Sequence, residues 1–277
     1  MLTTTVDGLW VLQVLSGAEA VAPELGLRPI LPSVETRQLA LAHPAAADLR
    51  SAGVIDDDGA VDIAVREWLT VLSRREVALV VHLHRPDGDA PARVVIARFA
   101  QWWVVMERSA EFIRIGGAGT ATAEGAANSV LIGQIERLCG TMPAARFQPV
   151  TLDSAPLRRC GADPEKLRAY LVGRGLDGEQ VQIIMAAADP QRSAQASFAA
   201  LQTGIDAGGP TRTHVGHTVV TVLDTPQGRL VAEQVTSAGR TWIIVGPGTA
   251  TGIATAINQM LRHLPADQEW HSYRKVV

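Results

Sequence analysis

The strongest constraint on this chain is that its second half is a loose copy of its first. The string FIRIGGAGTAT (Phe112 to Thr122) reads as a strand, a glycine turn and a helix start. WIIVGPGTAT (Trp242 to Thr251) reads the same way about half a chain later. Each copy runs on into an amphipathic stretch that ends at a leucine and a proline: Leu138 and Pro143 in one, Leu264 and Pro265 in the other. Upstream, RSAGVIDDDGAVDIAV (Arg50 to Val65) is echoed by LVGRGLDGEQVQII (Leu171 to Ile184). Such a repeat far exceeds the about 20–50 residues of a solenoid unit. It implies a single pseudo-two-fold-symmetric domain over 1–277, with an N-terminal half of about 1–150 and a C-terminal half of about 151–277.

Periodicity fills in the plan. Leu9 to Leu15 reads as a short helix, and Ala22 to Pro32 as an extended, proline-studded segment. Val61, Val65, Trp68, Leu69 and Leu72 share one helical face. EVALVVHLH, RVVIARF, QWWVVMER and FIRI follow as β-rich runs, and Asn128 to Leu138 as a helix. In the second half Asp163 and Pro164 start a helix. A second helix, carrying Val181, Ile184, Met185 and Ala188, stops at Pro190. SAQASFAAL, TVVTVLD, RLVAEQV and TWIIV supply four strands, with Gly228 marking a tight hairpin. Ile253, Ile257, Met260, Leu261 and Leu264 form the clearest helical stripe. Strand runs joined by short turns pair antiparallel, because parallel neighbours need a long crossover. The fold class is α+β, each half a mostly antiparallel sheet flanked by helices.

A net charge of −3 excludes the basic footprint of a nucleic-acid binder. No apolar run reaches the ~20 residues of a bilayer span, so no stable membrane insertion is expected. The N-terminus lacks the features of a secretory signal. The two cysteines, Cys139 and Cys160, have no CxxC spacing and read as reduced thiols, pointing to a cytoplasmic protein.

The glycine turns at 116–122 and 246–252 precede helices and could present amides to a phosphate. Neither matches the dinucleotide-binding or Walker pattern. A glycine turn with Thr120 or Thr249 as N-cap accounts for them more simply. His82 with His84, and His214 with His217, have no third ligand at metal spacing. The acidic run Asp56, Asp57, Asp58 lacks the register of a calcium loop. No nucleophile elbow is present, and Asp7, Glu24 and Glu269 are unpaired by sequence. The expectation is therefore no catalytic residue, no cofactor and no metal. The alternative is a small-molecule or nucleotide-binding enzyme using the 246–252 turn, and a third reading is a self-assembling structural subunit. Two polar loops, RPDGDAPAR (Arg85 to Arg93) and QTGIDAGGPTRTH (Gln202 to His214), stand at matching places in the halves, where binding function collects.

Several strings together resemble the EspG family, cytosolic chaperones of mycobacterial type VII (ESX) secretion. They are VDGLWVLQVL (Val6 to Leu15), APELGLRP (Ala22 to Pro29), QWWVVMER, the GTAT-to-helix element and LPADQEWHSYRKVV (Leu264 to Val277). The terminal strings lean towards the paralogue of the second ESX locus. The resemblance spans Val6 to Val277 and implies binding of a PE–PPE heterodimer, shielding the hydrophobic tip of the PPE helical bundle, with weak homodimerisation as a possible second association. It implies a client surface made of the central sheet, the hairpin after an early strand and the C-terminal helical region. Carried onto this chain, the hairpin is Arg85, Asp87, Gly88, Asp89 and Arg93, and the second half adds Gln202, Arg212 and His214 near the same surface. Met260 and Leu261 stand between core and interface. The hairpin here is short compared with some relatives.

Overall fold

The computed structural model describes residues 1–86, 91–204 and 212–274. The first half runs β1 (Leu2–Thr5), α1 (Val6–Ser16), α2 (Arg37–Ala42), α3 (Pro44–Ser51), α4 (Ile63–Arg74), β2 (Val77–His84), β3 (Ala92–Phe99), β4 (Trp102–Ser109), β5 (Phe112–Thr120) and α5 (Glu124–Cys139). The second runs β6 (Val150–Asp153), α6 (Ser154–Cys160), α7 (Pro164–Gly173), α8 (Gly178–Ala188), β7 (Ala194–Thr203), β8 (Thr213–Thr225), β9 (Gly228–Ser237), β10 (Arg240–Pro247) and α9 (Ala250–Arg262).

The ten strands form one sheet in the order β1-β5-β4-β3-β2-β7-β8-β9-β10-β6. Exchanging each strand for its counterpart in the other half reverses this order onto itself, so a pseudo-two-fold axis passes between β2 and β7. Across that seam Ala78 faces Leu201 and Val80 faces Ala199, antiparallel. Directly opposed residues share a face, so both halves turn the same face to each helical layer and the axis stands perpendicular to the sheet. On one face, α1–α4 cover the first half around Leu12, Leu69 and Met106, and α6–α8 cover the second around Leu171, Ile184 and Leu230. On the other face α5 and α9 share one core that crosses the seam, including Leu131, Ile135, Phe198, Ile257 and Leu261.

Matching caps set the matching helices. Thr5 accepts from Gly8 N at 3.1 Å to start α1, and Asp153 accepts from Ala155 N at 2.9 Å to start α6. Asp62 caps α4, and Asp177 caps α8 through a reciprocal box with Gln180. The edge strands β1 and β6, four residues each, are too short to carry a periodic signal and escape a sequence reading.

The glycine turns diverge from expectation in one half. Thr249 caps α9 by accepting from Gly252 N at 3.0 Å. GGAGT is instead the end of β5, which keeps pairing with β4 as far as Thr120 across an irregularity at Trp103/Val104. Helix α5 then starts at Glu124 with no side-chain cap. Glycine suits this strand at Gly119, whose φ of +139° is a conformation that side-chain-bearing residues rarely adopt.

Candidate functional site: the uncovered centre of the sheet

The helices of the α1–α4 and α6–α8 face lean outwards onto β3–β5 and β8–β10, leaving a strip along the seam. Its floor carries His82 and His84 of β2, Gln195, Ser197 and Ala199 of β7, and Val219 and Thr221 of β8, all exposed or half-buried. His82 faces Ser197, which in turn faces Thr221, and the two hydroxyls lie 3.1 Å apart. His84 Nε2 donates to the Pro190 carbonyl at 2.9 Å, fixing its ring against the entry to β7. At the far end of β8, Val215 is 56% exposed. The strip is therefore a polar seam bordered by apolar β-branched side chains, with an irregularity of the β7–β8 ladder between Ala199 and Leu201. Its chemistry is that of a contact surface.

Eight site residues were expected near one surface, and the structure separates the five of them that are described: Arg85, Arg93, Gln202, Arg212 and His214. Val77 faces Gln202 and His84 faces Gln195. At ~3.3 Å per residue the two ends of this pair lie roughly 23 Å apart. The Arg85–Arg93 hairpin leaves one end, and the Gln202–His214 segment leaves the other. A two-fold axis perpendicular to antiparallel strands sends equivalent hairpins to opposite ends, so the expectation of one shared surface is corrected. Asp87, Gly88 and Asp89 lie outside the described residues.

Arg85 and Arg93 are both exposed but flank the hairpin on opposite faces. Arg93 faces His82 and Arg108, on the face of the strip, and approaches Gly26. Arg85 lines a depression with Leu83, Glu107, Arg114, Arg137 and Leu138, on the α5 face. Gln202 is 1% exposed, and its Oε1 accepts from Ala266 N at 2.9 Å, so it holds the C-terminal segment and offers no surface to a partner. Arg212 is exposed, and its carbonyl accepts from Gly204 N at 2.9 Å. His214 is half-buried and meets His217 edge-to-face at 5.9 Å. Met260 and Leu261, 1% and 0% exposed, are core. Sequence reasoning missed Gln195, Ser197, Val219 and Thr221. Their signal was the weak alternation of SAQASFAAL and TVVTVLD, where neither face is fully apolar.

The alternative nucleotide site is filled by the protein itself. Gly248 N donates to Arg229 O at 2.8 Å and Thr249 N to Pro247 O at 2.9 Å, so the turn's amides are spent on the chain. A Cβ at Gly248 would meet Arg229 at 2.3 Å, which explains the glycine by packing. Among the described residues no three His, Cys, Asp or Glu gather as a metal site, and both cysteines are free. Burial pushes the Cys139 thiol up to about 11. No helix among the described residues is long and apolar enough to cross a membrane.

The class of protein that the fold defines is a duplicated α+β scaffold built on one ten-stranded sheet whose centre is uncovered on one face. The model of the EspG family matches residues 5–259, and the chain belongs to that family. It is 48% identical over 277 residues to the ESX-2 secretion-associated protein EspG2 of Mycobacterium tuberculosis, covering 100% of both chains. It is 26% identical over 306 residues to the ESX-5 secretion-associated protein EspG5 of the same species, covering 99% of this chain and 97% of the relative. Its fold matches, at a TM-score of 0.75 and 23% identity, the M. tuberculosis type VII secretion system chaperone EspG5, solved in complex with a PE25–PPE41 dimer. The alignment covers 99% of each chain.

Proposed function

We propose that this protein is a chaperone of type VII secretion that binds a PE–PPE heterodimer in the cytoplasm through the uncovered seam of its sheet, without catalysis or cofactor. The observation that carries this is the exposed strip over β2, β7 and β8 on a scaffold shared with a secretion chaperone known in complex with such a dimer. A chaperone of this kind must bind tightly enough to mask an apolar tip yet release it, which favours a half-polar floor over a dry one. The interface should bury about 1,200–2,000 Å² or more. The near-full-length likeness to an ESX-2 relative makes the PE–PPE pair of the second ESX locus the first client to try.

Co-expression with the PE–PPE pairs of each ESX locus, read by pull-down and light scattering, tests the reading. A stable ternary complex with one pair supports it, and failure with every pair by well-folded protein removes it. The contact residues are tested by Ser197→Arg and by the double charge reversal of Arg85 and Arg93. Ser197→Arg places a bulky cation mid-strip and should weaken client binding about tenfold or more. Because Arg85 and Arg93 point to opposite faces, only the Arg93 reversal should matter to a client seated on the strip.

A further inference from the structure

The two halves differ where a chain segment crosses the outer strands of the α1–α4 and α6–α8 face. In the second half, residues 143–149 lead into β6 and fill a groove there. Ala145 N donates to Arg229 O at 2.9 Å, Phe147 is buried in the same core cluster as Leu230 and Val245, and Pro149 covers Gly246. Gly228 makes room, since a Cβ there would lie 2.8 Å from Ala145 N.

The registers locate the equivalent place in the first half. Leu2 faces Ile115 as Val150 faces Val245, and Val104 faces Gly117 as Leu230 faces Pro247. Met1 thus covers Gly116 where Pro149 covers Gly246, and Trp102 takes the place of Gly228. Over Val104 and Gly117, the counterparts of Leu230 and Pro247, there is an open groove of about 420 Å³, lined also by Glu67, Trp68, Phe99 and Trp102. Trp102 is 50% exposed over it. The strand edge beside it is open too, because β1 pairs with β5 only from Phe112 to Ile115. Among the described residues no strand pairs with the outer edge of Gly116–Thr120.

Charge separates the two grooves. Counting from the matching caps Asp62 and Asp177, Glu67 stands where the second half has Gln182. Glu67 is exposed and has no ion-pair partner among the described residues. The segment that fills the second groove reads Arg146-Phe147, an exposed cation beside a buried ring. A carboxylate on the rim of an aromatic slot complements that pair.

We propose that this groove is a second docking site, taking an extended segment of a partner protein that presents an aromatic side chain flanked by an arginine. The ring enters between Trp68 and Trp102, the arginine meets Glu67, and the segment's backbone pairs with the open edge of β5. The site lies at the end of the first half opposite Arg85 and is independent of the client reading.

The probe is the chain's own groove-filling sequence as a free capped peptide, AARFQPV, added to the intact protein labelled with 5-fluorotryptophan. The Trp68 and Trp102 resonances are assigned by Trp→Phe replacement. The expected result is saturable shifts at both, lost when the peptide's Phe is replaced by Ala. Gly117→Leu, which fills the groove, should weaken binding about tenfold or more with the melting temperature held. Glu67→Arg should weaken this peptide and favour one carrying Glu in place of its Arg. Should Gly117→Leu fail to fold, Trp102→Ala read at Trp68 makes the same test. No shift at Trp102, or shifts that persist in the filled groove, would each overturn the proposal.

Discussion

Each half of the molecule buries an arginine that clamps a chain segment belonging to the other half. Arg98 of β3, 0% exposed, donates to the carbonyls of His271 at 2.7 Å and Tyr273 at 2.5 Å, beyond α9. Arg229 of β9, 6% exposed, donates to the carbonyls of Gly140 at 3.0 Å and Cys139 at 2.8 Å, at the end of α5. The two helices are counterparts, so the clamps are crossed and tie the halves together. They differ in how the charge is met. Arg229 faces Asp224 across β8 and β9 in a two-pronged pair at 2.6 and 2.7 Å. Arg98 has no carboxylate opposite and relies on Glu76 at 3.3 Å, itself 1% exposed and shared with Arg274. Burial pulls Arg98 down to about 10, against the pull of Glu76, so it stays charged at neutral pH. By register Arg229 stands where the first half has Trp103, and Arg98 where the second has Asp224, so the two clamps are built from non-equivalent positions.

Breaking the clamps one at a time sharpens the contrast. Arg98→Met leaves the buried Glu76 with Arg274 as its one cation among the described residues and frees the carbonyls of His271 and Tyr273. It should cost about 3–5 kcal/mol in urea unfolding. Arg229→Met leaves a carboxylate nearer to solvent and should cost less, about 2–3 kcal/mol. Equal losses would refute the claim that the way each charge is met sets the cost of losing it. The C-terminal clamp also holds the stem of the second-half loop, because Tyr273 OH donates to Gly204 O at 2.5 Å. Tyr273→Phe should cost about 1 kcal/mol and raise hydrogen exchange at Gly204.

The glycine turns provide a smaller test of the same divergence. Thr249→Ala removes a helix cap and should cost about 1 kcal/mol. Thr120→Ala, at the equivalent point of the motif but ending a strand, should stay within about 0.5 kcal/mol. The smallest effect is one of acidity. The Arg28 guanidinium, and then the Leu31 amide, hold Glu35 at about 2, and its carboxylate also accepts from the Trp10 indole at 2.7 Å. A depressed carboxyl contributes stability above its unfolded value, and that stability is lost as pH falls through the folded one. Trp10 emission should therefore hold steady through the ordinary carboxylate range and change only as pH approaches about 2. Glu35→Gln should abolish the transition.

Much of the fold could be read without coordinates because its signals are local. The stripe from Ile253 to Leu264 became α9, Asp163 and Pro164 began α7, and Gly228 closed the β8–β9 hairpin. The site was less legible. The hairpin arginines were found as exposed charges in a turn, but His84 and Thr221 gain meaning only once β2, β7 and β8 are neighbours. Gln202 looked like a surface amide until Ala266 covered it.

By itself the sequence determined the duplication, the α+β class and the family, since repeats, periodicity and caps are written in residues near one another along the chain. Tertiary structure alone decided that the halves share one sheet through β2 and β7, that the axis stands perpendicular to it, and that the two polar loops end up at opposite ends. The direction of that axis is set by long-range strand pairing. Pairing over such separations is chosen by the packing of whole faces, which no window of the sequence contains.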